Sequence, residues 1–117
     1  MIPSLGLSIL WVQKGGVKVR NYVDGLEPLY TPSICLTEIK SRYLRDGRDP
    51  EDRIKFIVER SFIIPLDEKI ALLAADIKHE FKLHTVDAAI YTTARDKNLI
   101  LVTGDSHFKN LPNVEIL

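Results

Sequence analysis

Leu99-Ile100-Leu101-Val102 is the stretch that most restricts how this chain can fold. Four consecutive large apolar side chains leave no polar face, so a strand built from them must be covered on both sides, as strands of parallel sheets are. Parallel neighbours cannot be joined by hairpins and need longer crossovers, usually helical. The rest of the sequence supplies such crossovers.

Asp67 stands where it can cap a helix whose Ile70, Leu73, Ala74, Ile77 and Phe81 form a helical stripe. Thr85 is placed to cap a further helix running to about Lys97. Asp49-Pro50 reads as another helix start, with Glu51 and Asp52 in a first turn that favours negative charge and Ile54, Ile57 and Val58 as the apolar face. Earlier, Val19, Tyr22, Val23 and Leu26 carry helical spacing, with Gly25 near the end of that segment. Leu29 and Tyr30 read as a short strand, with Thr31 and Pro32 as cap and first turn of a helix that turns Cys35, Leu36, Ile39 and Tyr43 inward and stops near Asp46 and Gly47. Phe62 to Ile64, closed by Pro65, and Val114 to Leu117 complete the strands. Strands alternating with helices imply an α/β fold with a mainly parallel sheet between helices.

At 117 residues and 45% apolar content the chain has room for one domain, 1–117, with a genuine core. Sixteen basic and sixteen acidic residues cancel, so no net field advertises nucleic acid, and any phosphate contact has to come from local basic stripes. The single cysteine, Cys35, has no internal disulfide partner and reads as a buried packing residue in a reducing compartment. The apolar run from Leu5 to Val12 is shorter than the ~20 residues of a membrane helix and lacks the flanks of a signal peptide. The expectation is a cytoplasmic protein with no membrane contact.

Ligands of open parallel sheets sit beyond the carboxyl ends of the strands. Three acids qualify: Glu38 in the helix after Leu29 and Tyr30, Asp87 in the first turn of the helix that begins at Thr85, and Asp105 just after Leu99 to Val102. Each has an ordinary role available, namely an ion pair of Glu38 with Arg42, a dipole role for Asp87 and a turn role for Asp105. Convergence would change that, because carboxylates gathered at one sheet edge repel unless a cation offsets them. Mg²⁺ or Mn²⁺ takes oxygen ligands and keeps waters, so a few carboxylates suffice.

Thr37-Glu38-Ile39, Val86-Asp87-Ala88-Ala89 with Ala94, and Leu101-Val102-Thr103-Gly104-Asp105 with Phe108 together resemble the PIN-domain ribonucleases, especially the VapC toxins of toxin–antitoxin pairs. The resemblance runs from about residue 16 to 117. It implies a three-layer α/β/α fold of about five strands, metal-dependent cutting of RNA, a homodimer and a small antitoxin partner. Carried over position by position, it makes Glu38, Asp87 and Asp105 the catalytic, metal-binding acids and Thr103 a polar substrate-side residue.

The start departs from the pattern. The family opens with a central strand ending in an acid, and Ile2-Pro3-Ser4 stands there with Pro3 in the acid's place. Residues 1–15 are therefore atypical and the first strand is truncated or irregular: Leu7 to Val12 is recruited as that strand, or the sheet is gapped, or the start of the chain differs from an ancestral one. A missing acid also raises the alternative of a catalytically impaired PIN domain that binds RNA or protein.

Arg42 and Arg45 share a helical stripe with Glu38 and are candidates for gripping an RNA phosphate or an acidic partner, against a plain solvated face. His79-Glu80 with His84 does not have the i, i+4 histidines of a zinc hydrolase. His107 reads as an exposed loop residue with nothing to fix its orientation, and Trp11 as core or dimer interface rather than a base-stacking platform.

Overall fold

The computed structural model describes residues 8–11, 25 and 28–116. Its centre is a five-stranded parallel sheet formed by β1 (Ser8–Trp11), β2 (Leu29–Pro32), β3 (Phe62–Ile64), β4 (Ile100–Thr103) and β5 (Val114–Ile116), in the spatial order β3-β2-β1-β4-β5. Ser8 lies opposite both Leu29 and Ile100, and Trp11 lies opposite Thr103. Of the openings available to the chain, the recruited strand is the one found: Ser8–Trp11 sits between β2 and β4, where it satisfies the backbone groups that a gap would orphan.

Burial follows position in the sheet. Leu101, Val102 and Thr103 of β4 are fully buried, as the unbroken apolar run requires. The two edge strands have three residues each and are partly exposed, Phe62 at 63% and Ile116 at 38%; short edges offer little template for unwanted pairing.

Among the described residues four helices lie in the crossovers, α1 (Ser33–Arg45) and α2 (Glu51–Arg60) between β2 and β3, and α3 (Glu68–Phe81) and α4 (Thr85–Asp96) between β3 and β4. In α4 every residue from Ala88 to Ala94 is buried, so this helix is enclosed on all sides. Its polar groups are mostly accounted for. Thr93 Oγ1 donates to the Ala89 carbonyl at 2.7 Å, Tyr91 donates to the Pro112 carbonyl at 2.7 Å, and Arg95 donates to the Tyr91 hydroxyl at 2.8 Å. Helix α3 runs antiparallel beside it, tied at one end by Lys69 to Asp96 at 3.0 Å and at the other by Lys78 to Thr85 Oγ1 at 2.6 Å. The buried face of α3 is Ile70 and Ala74, with Ile77 and Phe81 half-buried; Leu73, on the expected stripe, is 39% exposed.

Several boundaries differ from expectation for identifiable reasons. Thr31 and Pro32 belong to β2, because they pair with Ile63 and Ile64 of β3; proline's fixed φ fits this extended end as well as a helix start. Ser33 then begins α1, and its hydroxyl accepts the Leu66 N–H at 3.1 Å instead of capping its own helix. Thr85 is the first residue of α4 and its hydroxyl is engaged by Lys78, while His84 flanks the helix. Val58 is 49% exposed, so only Ile54 and Ile57 of the expected α2 face are half-buried. The helix expected around Val19, Tyr22, Val23 and Leu26 and the strand end at Leu117 lie outside the described residues.

Other stops and starts match. Helix α1 ends at Asp46 with Gly47 at φ +69°, a left-handed position that glycine fills without a Cβ penalty. Asp49 Oδ1 accepts the Glu51 N–H at 3.0 Å ahead of α2. Asp67 caps α3, accepting the Ile70 N–H at 2.8 Å. Among the described residues no helix is long and apolar enough to cross a membrane.

The cap gives a direct check on this arrangement. Asp67→Ala leaves the Ile70 N–H without its side-chain acceptor and is expected to cost about 1 kcal/mol, a fall in Tm of about 4 °C for a domain of this size. Asp67→Ser should recover most of the loss in the same thermal melts, and equal losses in both variants would show that capping is not what the side chain contributes.

Candidate functional site

The strand order reverses direction at β1 and β4: from β1 the chain builds outward through β2 and β3, then returns to place β4 on β1's other side. A crevice opens beyond the carboxyl ends of strands at such a point. Asp105 follows β4 by two residues and therefore stands at that mouth.

Its position is fixed from three directions. The backbone N–H of Asp105 donates to Thr103 Oγ1 at 3.1 Å, and Thr103 is fully buried at the end of β4. Its Oδ1 accepts the backbone N–H of His107 at 2.9 Å, opening a short 3₁₀ turn, Ser106–Phe108. Phe108 is buried without residual exposure and anchors the turn in the core. The Asp105 side chain is 10% exposed while that of His107, at 67%, faces outward.

Asp87 comes from another direction. It is the third residue of α4, where the helix N-terminus favours a negative group, and the enclosed body of α4 holds it half-buried. Burial raises its pKa above the ordinary 3.8, and the neighbouring Asp105 charge raises it further; His107 and His84 act in the opposite sense, and Glu38 adds a smaller upward push.

The structure brings Asp87, Asp105 and His107 together: one potential ligand atom from each lies within 4.8 Å of the others. Glu38, half-buried on α1, lies outside this set and is felt at Asp87 and at the buried Cys35 as a charge. Thr103 reaches the site through Asp105, since its hydroxyl is enclosed and engaged by that residue's N–H. Arg42 and Arg45 sit in the last turn of α1, which their charges complement. They lie about 6 and 10 Å further along the helix axis than Glu38. Arg45 is strongly exposed and pairs with Asp46 at 3.6 Å, and Arg42 is half-buried.

His107 is exposed, as the sequence suggests, but its ring is not free to turn. Its ring Nδ1 is 3.0 Å from Asp105 Oδ1, and its ring stands edge-on to His84 with centroids 6.3 Å apart, so its orientation is set. The signal was present: an aspartate that accepts the N–H two residues on closes an Asx turn, which brings that residue back beside the carboxylate. His79 lies in the last turn of α3, away from this group.

The described central strand is Ser8–Trp11, and Pro3, expected in the place of the absent acid, lies outside the described residues. From Trp11 the sequence reads Trp11-Val12-Gln13-Lys14, and no acid occurs before Asp24.

The family model for the PIN domain matches residues 9–114. No curated protein sequence matches the chain significantly. Among solved structures, a toxin–antitoxin complex from Klebsiella pneumoniae contains a chain that is 20% identical, with a TM-score of 0.76 over 92% of this chain and 95% of that one. VapBC2 from Rickettsia felis, bound to a DNA fragment from its promoter, is 18% identical with a TM-score of 0.74, covering 95% and 97%. VapBC-5 from Mycobacterium tuberculosis is 20% identical with a TM-score of 0.64, covering 96% and 98%.

The Asp87 environment makes a prediction about stability. An acid whose folded pKa is raised favours the folded state below the ordinary value of 3.8, and that contribution is lost as pH rises through the higher folded value. Above it, the Asp87 charge is a cost to the metal-free chain. Asp87→Asn is therefore expected to raise the urea midpoint at pH 7 in the presence of chelator, with the advantage shrinking as pH falls toward 3.8. A midpoint lowered at pH 7 would mean that the carboxylate is better satisfied than its neighbours suggest.

Proposed function

The chain belongs to the PIN domain family, and from that premise we propose that it is a divalent-metal-dependent endoribonuclease of the VapC toxin type, hydrolysing RNA phosphodiesters at the mouth between β1 and β4. The observation that carries the reading is the convergence of Asp87 and Asp105 from separate elements at that mouth. The Asp105 charge raises the cost of ionising Asp87, and a fold has little reason to hold the two so close unless a cation offsets the repulsion.

The donor set fits Mg²⁺ or Mn²⁺. Carboxylate oxygens from different elements can hold such an ion while leaving positions for water. A divalent ion held there would neutralise charge on a phosphodiester and lower the pKa of a water for attack. Asp87 and Asp105 are its direct holders in this reading, and Thr103 orients Asp105 through the backbone bond. Glu38 completes the shell from α1 through water. Arg42 and Arg45 extend a basic stripe from that acid along which RNA phosphate can lie.

Partners follow from the same assignment. The uncovered side chains of Leu44, Phe56, Val58, Phe62, Leu72 and Leu73 support assembly, which we assign to a homodimer and a small antitoxin in the cytoplasm. Two of the similar structures are of toxin–antitoxin systems, which supports the antitoxin. The absence of an acid at the Trp11 end of β1 favours a second reading, a catalytically impaired PIN domain that binds RNA or protein.

Incubation of the purified protein with RNA and Mn²⁺ separates the two. Cleavage is expected, and Asp105→Asn should lower its rate by more than the ~10–100-fold that losing a group which merely orients a metal ligand costs. Chelation should abolish it. Metal binding without cleavage would move the chain to the impaired reading, and cleavage unchanged in the variant would show that the site lies elsewhere.

A further inference from the structure

The Asp105 turn does more than position an acid, because it also delivers an imidazole. His107 is held to Asp105 twice, by its backbone N–H at 2.9 Å and its ring Nδ1 at 3.0 Å, and His84 flanks its ring. These contacts bring the ring beside Asp87 as well, so that two carboxylates and one imidazole offer donor atoms within 4.8 Å of one another. Donors sharing one ion at ~2.0–2.2 Å each stand at most about 4.4 Å apart, so this group can close on a single ion with shifts of a few tenths of an ångström. It is a mixed oxygen and nitrogen set, and β1, Ser8–Trp11, carries no carboxylate to add to it.

We propose that His107 gives a ring nitrogen to the same ion as Asp87 and Asp105, taking up a coordination position in a site that has no acid from β1, and that this makes the site selective for Mn²⁺ and its borderline neighbours over Mg²⁺. The inference rests on the metal-dependent reading above. Its physical basis is ligand preference: Mg²⁺ demands hard oxygen donors and dehydrates reluctantly, whereas Mn²⁺ opens the first-row series whose ions bind nitrogen donors with rising affinity. The rival role for His107 is to orient Asp105 by donating a hydrogen bond, with only oxygens on the ion. In that case its loss weakens all divalent ions alike. In the proposed case it weakens Mn²⁺ selectively.

The test uses the intact chain, loaded with metal ions alone. With histidine labelled by ¹⁵N, pulsed EPR of the Mn²⁺-loaded protein should show nitrogen coupling that disappears in His107→Ala and persists in His84→Ala. By calorimetric titration, His107→Ala should lose Mn²⁺ affinity by about 10–100-fold, while Mg²⁺ affinity falls by a smaller factor. His107→Asp should regain Mg²⁺ binding and narrow the preference between the two ions. Because His107 is exposed, each variant is expected to melt within a few degrees of the parent, which calorimetry on the same samples checks.

Ion binding without nitrogen coupling, or with parallel losses for both ions in His107→Ala, overturns the inference and leaves the nuclease reading standing. Nitrogen coupling in a protein that does not cut RNA supports the inference and counts against the nuclease. Absence of any divalent binding overturns both.

Discussion

Pairing of β1 with β4 is the constraint on which the rest of this molecule depends. All four residues of Ser8–Trp11 are in register with Ile100–Thr103, and the other flank of β1 is closed by β2. Without that strand the two halves of the sheet, β3-β2 and β4-β5, would each expose a row of backbone donors and acceptors. With it, the connectivity reverses at one point, and beyond the carboxyl ends at such a point open α/β sheets take their ligands. The placement of Asp105 follows from this pairing and from the Thr103 hydroxyl that receives its N–H.

A second dependency runs through α4. The helix is buried from Ala88 to Ala94, which costs nothing for small and apolar side chains and requires a partner for each hydroxyl. Thr93 and Tyr91 have theirs, and Thr92 Oγ1 is without one among the described residues. This enclosed segment is what holds Asp87 at the mouth despite the neighbouring Asp105 charge. Apolar burial one turn further along thus sustains an electrostatic arrangement that the carboxylates alone would not adopt, a local conflict of the kind that functional sites retain.

Much of this could be read from residue order, and the parts that could not share a cause. The Leu99 to Val102 run forces burial on both faces, and Asp67 with the Ile70 and Ala74 stripe leaves little choice but a capped helix. Where tertiary partners decide, local rules fail: Pro32 suits a strand end or a helix start until Ile64 pairs with it, and Thr31 could cap α1 but lies in β2, paired with Ile63. The first strand was ambiguous for the same reason, since only the ladders of β2 and β4 select Ser8–Trp11. At the site, Asp87 and Asp105 were legible because topology alone carries them to one edge. His107 was not, because its placement depends on a side-chain to backbone bond inside a three-residue turn.

That turn changes how the site's chemistry should be understood. A carboxylate-only centre would depend on acids from four separate segments, each placed by its own strand or helix. Here Asp105 and His107 come from one Asx turn anchored by the buried Phe108, so two donors are fixed by a single local structure. Asp87 is brought in by the tertiary fold, and Glu38 acts on it as a charge. β1 carries no acid in Ser8–Trp11, and the imidazole of His107 stands two residues beyond Asp105. A site built this way tolerates variation at the start of the chain better than one in which the opening strand supplies a ligand, because β1 is then needed for its backbone ladder and not for a side chain.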